Sequence, residues 1–183
     1  MQRVVLFLLL SSLVLAGSWA QPTTAFADKP ALLTSIGQSA DLEMVKVLLT
    51  RARVAFNHDP LVLAAGLTGD AKTLVLVVGG SSKGLGAAGI SADAEMERAR
   101  ALIKRARELG MKIITVHVGG EARRGTLSDV FIELCVPIAD YALVVADADK
   151  DGLFTRLAAG AKIALTKVDK ISAVGAPLAA AFK

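Results

Sequence analysis

The chain passes from an apolar run into a glycine-rich segment in the stretch Val77-Val78-Gly79-Gly80-Ser81-Ser82-Lys83-Gly84-Leu85-Gly86-Ala87-Ala88-Gly89. The apolar residues 74–78 predict a buried strand, and a long helical pattern follows the glycines. The segment is therefore predicted to be a loop between a strand and a helix. Backbone N–H groups in such a loop are free to bind a phosphate or a carboxylate.

Strand and helix patterns alternate on both sides of this junction. The predicted strands are residues 31–36, 54–56, 74–78, 112–118, 141–145 and 162–168, and the predicted helices are 40–53, 61–65, 92–109, 128–136, 152–159 and the residues from 177. This alternation is typical of a parallel sheet that helices cover on both faces. We therefore predict that residues 28–183 form one α/β domain of Rossmann-like (flavodoxin-like) three-layer architecture. Its sheet is expected to be mainly parallel, with about five to six strands.

Residues 1–27 are predicted to be a cleaved secretory signal peptide. Arg3 precedes an apolar run at residues 4–16, and small and polar residues follow. The run is shorter than the about 20 residues that a membrane span needs. Two small-x-small sites fit a signal peptidase, Ser18-Trp19-Ala20 and Ala25-Phe26-Ala27, and we favour cleavage after Ala27. The protein is therefore expected to be exported, to the periplasm or beyond the cell, without a stable membrane anchor.

Composition narrows the range of partners. The formal net charge is only +4, and aromatic residues make up 4% of the chain. Nucleic-acid surfaces need clustered basic residues and aromatic side chains for stacking, so no nucleic-acid partner is expected. Cys135 lies between Leu134 and Val136 and is predicted to be a buried structural thiol rather than a nucleophile.

A site for a small anion is predicted where the loops after the strands meet. Ligands of parallel sheets bind at the carboxyl ends of the strands. Lys83, Arg123 and Arg124 supply positive charge, and hydroxyl and backbone groups supply neutral donors. The predicted binding residues are Ser35, Gln38, Ser39, Gly80, Ser81, Ser82, Lys83, Gly84, His117, Glu121, Arg123 and Arg124. If so, replacing Arg124 with Ala abolishes anion binding and leaves stability nearly unchanged.

The same residues allow a structural interpretation. Basic loop residues are common on protein surfaces, so the alternative for Arg123 and Arg124 is pairing with Glu121 or Asp129. A flat patch in place of a pocket would make the domain a protein-interaction module without a small-molecule site. We favour a binding protein over an enzyme.

A serine hydrolase is the enzymatic alternative. Gly37-Gln38-Ser39-Ala40-Asp41 stands between a predicted strand and helix, as a nucleophile elbow does, although Asp41 replaces the final glycine. Ser39 as nucleophile, His117 as base and Asp147 as orienting acid follow three different strands. Ser39 is also an ordinary N-cap for the helix that follows. The triad therefore requires Ser39 Oγ within hydrogen-bond reach of His117.

Calcium is a further candidate ligand. Asp147-Ala148-Asp149-Lys150-Asp151-Gly152 matches the opening of an EF-hand loop, with glycine at the sixth position. Alternating carboxylates at Asp147, Asp149 and Asp151 suit a hard cation. The twelfth position, where a bidentate Glu belongs, is Ala158. The alternative is a solvated acidic loop before a helix, and no other cofactor is predicted.

The glycine-rich segment resembles the nucleotide-binding loop of the short-chain dehydrogenase/reductase family. The resemblance is carried by Gly80-Ser81-Ser82-Lys83-Gly84-Leu85-Gly86. The family implies a nicotinamide cofactor and a Tyr-x-x-x-Lys pair, but the residue four positions after Tyr141 is Val145. The strand at residues 112–118 also ends without a carboxylate for the ribose. We therefore expect no nicotinamide cofactor.

Three segments together resemble a family of exported bacterial proteins classed as a domain of unknown function. They are Thr34-Ser35-Ile36-Gly37-Gln38-Ser39-Ala40-Asp41, residues 79–89 and residues 119–125. The resemblance covers most of residues 28–183. It implies export and a single α/β domain, and it implies no activity.

Overall fold

Parallel strands form one six-stranded sheet. The computed structural model describes residues 24–183. The strands are β1 (Ala31–Ile36), β2 (Phe56–His58), β3 (Thr73–Val78), β4 (Lys112–His117), β5 (Tyr141–Val145) and β6 (Ala164–Val168). Their order is β2-β1-β3-β4-β5-β6, and all neighbours are parallel. The predicted α/β, Rossmann-like fold is confirmed.

Helices and short turns connect the strands. The helices are α1 (Asp41–Arg51), α2 (Ser82–Ala87), α3 (Ala92–Glu108), α4 (Thr126–Cys135), α5 (Leu153–Ala161) and α6 (Gly175–Ala180). Single 3₁₀ turns occur at Ala64–Gly66, Glu121–Arg123, Ala146–Asp149 and Ile171–Ala173. In the part of the chain that the structure describes, no helix combines the length and the apolar character that a membrane span requires.

Helices cover both faces of the sheet and form its two apolar cores. α1 and α6 pack on one face, where Leu42 and Leu178 are buried. α3, α4 and α5 pack on the other face, where Leu102, Phe131 and Phe154 are buried. β3 is buried along its whole length, as its continuous apolar sequence predicts for a central strand.

Three local predictions were wrong. The segment predicted as a loop after β3 contains α2, because Ser81 Oγ caps it by accepting a hydrogen bond from Gly84 N at 3.0 Å. The predicted helix at residues 61–65 is only the 3₁₀ turn Ala64–Gly66. The second strand begins at Phe56 rather than at residue 54, and it is a largely exposed edge strand with a weak apolar pattern.

The predicted signal peptide lies mostly outside the described residues, which begin at residue 24. The predicted thiol burial is confirmed, because Cys135 is a free, buried cysteine. Burial raises the pKa of this thiol well above its usual range. Cys135 therefore has a structural role in the core.

Candidate functional site

The crevice between β1 and β3 is closed by the protein itself. In doubly wound sheets this point, where the strand order reverses, opens into the usual ligand crevice. Here the two loops pair with each other, because the backbone N–H of Ser81 donates to the carbonyl oxygen of Gly37 at 2.8 Å. Gln38 and Gly80 also form an antiparallel bridge. The loops therefore extend the sheet where a ligand was expected.

Close packing explains two glycines of the glycine-rich segment. A Cβ at Gly84 would lie 1.8 Å from the carbonyl oxygen of Gln38, and a Cβ at Gly80 would lie 2.7 Å from the Leu127 side chain. Gly89 follows the end of α2 with a φ of +69°, a conformation that favours glycine. Loop packing thus accounts for Gly80 and Gly84 of the dehydrogenase-like pattern, and helix termination accounts for Gly89.

A buried ion pair on α3 fixes the loop after β1. The side chains of Glu95 and Arg98 are 0% and 7% exposed, and Arg98 Nε donates to Glu95 Oε2 at 2.7 Å. Glu95 Oε1 accepts hydrogen bonds from Gly37 N at 2.8 Å and from Gln38 Nε2 at 3.0 Å. Gln38 has a φ of 57°, which is uncommon for a residue with a side chain. Glu95 therefore holds a strained loop in place.

The sequence contains a signal for this ion pair that the initial prediction missed. Glu95 precedes Ala99 by four residues, and Ala99, Leu102 and Ala106 are buried on α3. Helical spacing therefore places Glu95 on the buried face of α3. A carboxylate on that face needs a partner, and Arg98 is one turn away.

His117 is fully buried and bonds to backbone rather than to Ser39. Its Nδ1 lies 2.8 Å from the carbonyl oxygen of Val78, and its Nε2 lies 3.3 Å from that of Gly120. Burial lowers the pKa of His117 below its ordinary value of 6.5, so the ring is neutral at pH 7. A neutral ring carries one N–H and donates to one of these two carbonyls; the shorter contact, to Val78, links the end of β4 to the end of β3.

The predicted catalytic triad is not assembled. Both ring nitrogens of His117 face backbone carbonyls, so the required Ser39–His117 hydrogen bond is absent among the described contacts. Ser39 Oγ instead lies 3.4 Å from the backbone nitrogen of Asp41. The N-cap of α1 is Ala40 and not Ser39, one residue later than predicted. Asp147 is exposed.

Arg124 joins two loops, and its donors are occupied. Its Nε donates to Asp129 Oδ1 at 2.7 Å, its Nη2 donates to Asp151 Oδ2 at 2.8 Å, and its Nη1 donates to the carbonyl oxygen of Ala148. The side chain is only 13% exposed. Hydrogen bonds from Arg124 lower the pKa of Asp129 and of Asp151. The structural alternative, pairing with Asp129, is the arrangement observed, so a free charge for a ligand is not available here.

Two of the three aspartates of the predicted calcium loop bind to other side chains of the protein. Asp149 is buried, accepts a hydrogen bond from Thr155 Oγ1 at 2.5 Å and pairs with Lys167. Asp151 pairs with Arg124. Within residues 24–183, no three His, Cys, Asp or Glu side chains are grouped as metal ligands. Protein partners therefore account for two of the three carboxylates that the calcium prediction used.

An open cleft lies between Gly80 and the start of α4. It has a volume of about 210 Å³ and is lined by Gly80, Ala122, Arg123, Arg124, Gly125, Thr126, Leu127 and Ser128. Gly125 is the N-cap of α4 and provides no side-chain cap. In the described chain, no protein acceptor bonds to the backbone N–H of Thr126 or Leu127. Free N–H groups at a helix start are suited to an anion.

Arg123 lies at this cleft. Its terminal nitrogens, Nη1 and Nη2, have no hydrogen-bond acceptor in residues 24–183. Its Nε lies 3.7 Å from Asp41 Oδ2, which is too far for a hydrogen bond. Asp41 Oδ2 is buried and has no hydrogen-bond partner among the described residues. A Cβ at Gly79 would lie 3.1 Å from the Arg123 side chain, and one at Gly119 would lie 2.3 Å from it. The stem of Arg123 therefore rests on two glycines, and Nη1 and Nη2 remain available.

The cleft brings together only part of the predicted set. Gly80, Arg123 and Arg124 line it. The predicted residues outside it are Ser35, Gln38, Ser39, Ser81, Ser82, Lys83, Gly84, His117 and Glu121. Glu121 pairs with Lys150, and Lys83 is exposed on the first turn of α2. Thr126 and Leu127 were not predicted as binding residues. They contribute backbone N–H groups, and the type of a residue does not show whether its N–H is free.

Comparison with known proteins identifies the domain but assigns no activity. A family model described as a domain of unknown function (DUF6305) matches residues 28–182. Comparisons with curated proteins and with solved structures found no match. The matched residues contain all six strands of the sheet and all six helices given above. The resemblance to a domain of unknown function is thus confirmed, and the chain belongs to the DUF6305 family.

Proposed function

We propose that this domain binds a small carboxylate in the cleft between Gly80 and the start of α4. The observation that carries the proposal is the pair of backbone N–H groups, on Thr126 and Leu127, without a protein acceptor in residues 24–183. The two oxygens of a carboxylate can accept from both groups. The dipole of α4 adds roughly half a positive charge at this end. We place this binding after export, as the apolar run at residues 4–16 indicates.

Arg123 supplies one whole positive charge to the proposed site. A guanidinium binds a carboxylate through two parallel hydrogen bonds, and Nη1 and Nη2 of Arg123 have no acceptor in the described residues. Its stem already rests on Gly79 and Gly119. Little side-chain freedom is therefore lost when a ligand binds.

The charge balance around the cleft favours a singly charged ligand. Asp41, Asp129 and Asp151 pair with Arg123 and Arg124, so negative groups outnumber positive ones. A phosphate dianion would add repulsion from these carboxylates, whereas a carboxylate adds one charge. The open cleft, with a volume of about 210 Å³, has room for a small acid.

A neighbouring cleft is a poor alternative for an anion. It lies on the other side of Arg124, has a volume of about 270 Å³ and is lined by Glu121, Arg124, Gly125, Asp129, Asp147, Ala148, Lys150 and Asp151. Four carboxylates face two cations there, and Arg124 is already paired. The site at Thr126 and Leu127 is therefore preferred.

Thermal unfolding with acetate, propionate or lactate tests the proposal, with phosphate and chloride compared at equal ionic strength. A carboxylate at about 100 times its dissociation constant adds about 2.7 kcal/mol of stability, which raises Tm by several degrees. Arg123→Gln should remove this shift. Arg100→Gln, an exposed arginine on α3, should retain it. Equal carboxylate shifts in Arg123→Gln and wild type, or a larger shift with phosphate, would contradict the proposed site.

A further inference from the structure

The first described residues are part of the folded domain. The backbone N–H groups of Phe26 and Ala27 both lie 2.9 Å from the carbonyl oxygen of Ala181 and donate to it. The N–H of Lys183 donates to the carbonyl oxygen of Ala27 at 2.9 Å, and Ala27 forms a parallel bridge with Phe182. The segment thus pairs with the C-terminal end of the chain.

Side-chain packing supports the same conclusion. Ala27 is 0% exposed and belongs to the core between the sheet and α1 and α6. The Phe26 ring packs edge-on against Tyr141 of β5, with ring centroids 6.1 Å apart. Ala25 just before them is exposed. The boundary of the folded domain therefore lies at Phe26.

Cleavage after Ala27 would remove Phe26 and Ala27 from the folded domain. The Ala27–Asp28 bond follows two residues whose backbone groups satisfy Ala181 and Lys183. Cleavage there would leave those groups without their partners, and it would remove the Phe26 ring from Tyr141. The preference for Ala27, drawn from the small-x-small pattern alone, conflicts with the packing of Phe26 and Ala27.

We propose that signal peptidase hydrolyses the peptide bond between Ala20 and Gln21, so that the mature chain begins at Gln21. Water adds across this amide bond, Ala20 receives the new carboxyl group and Gln21 the new amino group. Ser18-Trp19-Ala20 has the small-x-small pattern and lies closer to the apolar run at residues 4–16 than Ala27 does. A chain that begins at Gln21 keeps Phe26 and Ala27 and their pairing with the C-terminal residues.

The full chain, secreted by a bacterial host, tests the processing site directly. Intact-mass measurement of the exported protein should give a chain that begins at Gln21, and the first tryptic peptide should cover residues 21–46 because trypsin does not cut Lys29-Pro30. A chain that begins at Asp28, or one that retains Met1, overturns the proposal. Mass spectrometry is used because an N-terminal glutamine can cyclise and block chemical sequencing.

Two matched variants show which of the two small-x-small sites signal peptidase cleaves. Ala20→Leu places a large side chain at the proposed site and should make the precursor accumulate. Ala25→Leu changes the other pattern at an exposed position and should be processed as the wild type. Normal processing of Ala20→Leu, or a block in Ala25→Leu, contradicts the assignment.

A second measurement tests the structural argument without export. Chains that begin at Gln21 and at Asp28 are made separately and unfolded by heat. The shorter chain lacks three backbone hydrogen bonds and the Phe26 packing, so its Tm should be lower by roughly 5 °C or more. Equal Tm values would show that Phe26 and Ala27 are dispensable, which removes the reason for preferring Ala20.

Discussion

Glu95 Oε1 lies 2.8 Å from the backbone nitrogen of Gly37, and this hydrogen bond joins α3 to the loop that closes the crevice between β1 and β3. Gly37 and Gln38 have φ values of 92° and 57°, so the loop holds an uncommon backbone conformation. Arg98 neutralises the buried Glu95 carboxylate. The closed crevice therefore depends on the Glu95–Arg98 pair.

Replacing Glu95 with Ala should lower the free energy of unfolding by about 3–5 kcal/mol, because Arg98 is left buried without its partner. Glu97→Ala is the matched control, since Glu97 is exposed on the same helix. It should change stability by less than about 0.5 kcal/mol. Urea unfolding measures both variants. A loss below about 1 kcal/mol in Glu95→Ala would show that the pair does not hold the loop.

Replacing Gly84 with Ala should lower the stability of the fold, whereas replacing Gly86 with Ala should raise it. A Cβ at Gly84 meets the Gln38 carbonyl oxygen at 1.8 Å, so Gly84→Ala should destabilise the fold by about 1–3 kcal/mol or more. Apart from its chain neighbours and the backbone of α2 itself, no atom of the described residues lies within 4 Å of a Cβ at Gly86. Gly86→Ala should therefore stabilise the helix by about 0.5–1 kcal/mol. Denaturant midpoints compare the pair. Similar effects in both variants would argue against the packing of α2 on the loop after β1.

Stability should fall as the pH falls below 6.5. Burial lowers the pKa of His117 from its ordinary 6.5, so between these two values the unfolded chain binds a proton that the folded chain does not. The free energy of unfolding then decreases with decreasing pH, by up to about 1.4 kcal/mol per pH unit. His117→Gln should lose this dependence, and His58→Gln, at an exposed position, should keep it. Urea unfolding between pH 5 and 8 distinguishes them; equal slopes in wild type and His117→Gln would refute the assignment.

Arg124→Ala should weaken the fold more than it weakens carboxylate binding. The variant loses the contacts to Asp129, Asp151 and Ala148, and we expect a loss of about 2 kcal/mol in stability. This reverses the prediction from sequence, in which Arg124 bound the ligand and had little effect on stability. Thermal unfolding gives the stability, and calorimetric titration with acetate gives the affinity. Unchanged Tm with abolished binding would restore the original role.

The ion pairs of Arg124 also predict a contribution to stability that is lost in acid. Because Arg124 lowers the pKa of Asp129 and Asp151 in the folded state, their contribution to stability is present above the ordinary value of 3.8 and is lost as the pH falls below it. Arg124→Ala should therefore lose less stability than wild type on acidification through this range. Parallel pH dependence below 3.8 in the two proteins would contradict the pairing.

Strands and helices with a clear apolar pattern were predictable from the sequence. Ion pairs between residues far apart in the sequence were not. Residues 74–78 were predicted as a strand because all five are aliphatic, and the structure buries them together with Thr73 in β3. α2 was missed because two of its six residues are glycine, and burial of Leu85 together with the Ser81 cap outweighs their low helix propensity. The partner of Arg124 at Asp151 is 27 residues away, and no local pattern encodes it.

The sequence predicts the edge of the sheet at which the proposed cleft lies, and the binding roles assigned to its residues stay predictions. The carboxyl edge of the sheet follows from the strand order, and Gly80 and Arg123 line the proposed cleft there. The closed crevice depends on the φ values of Gly37 and Gln38, which residue types alone do not fix. The free N–H groups of Thr126 and Leu127 depend on where α4 begins, and that start was predicted two residues late.

Carboxylate binding at the start of α4 can be followed through the backbone amide resonances of the chain during titration with acetate at constant ionic strength. We expect saturable shifts at Thr126 and Leu127 that are lost in Arg123→Gln and retained in Arg100→Gln. Absence of shifts at both amides at saturating acetate, or equal shifts with chloride, would contradict it.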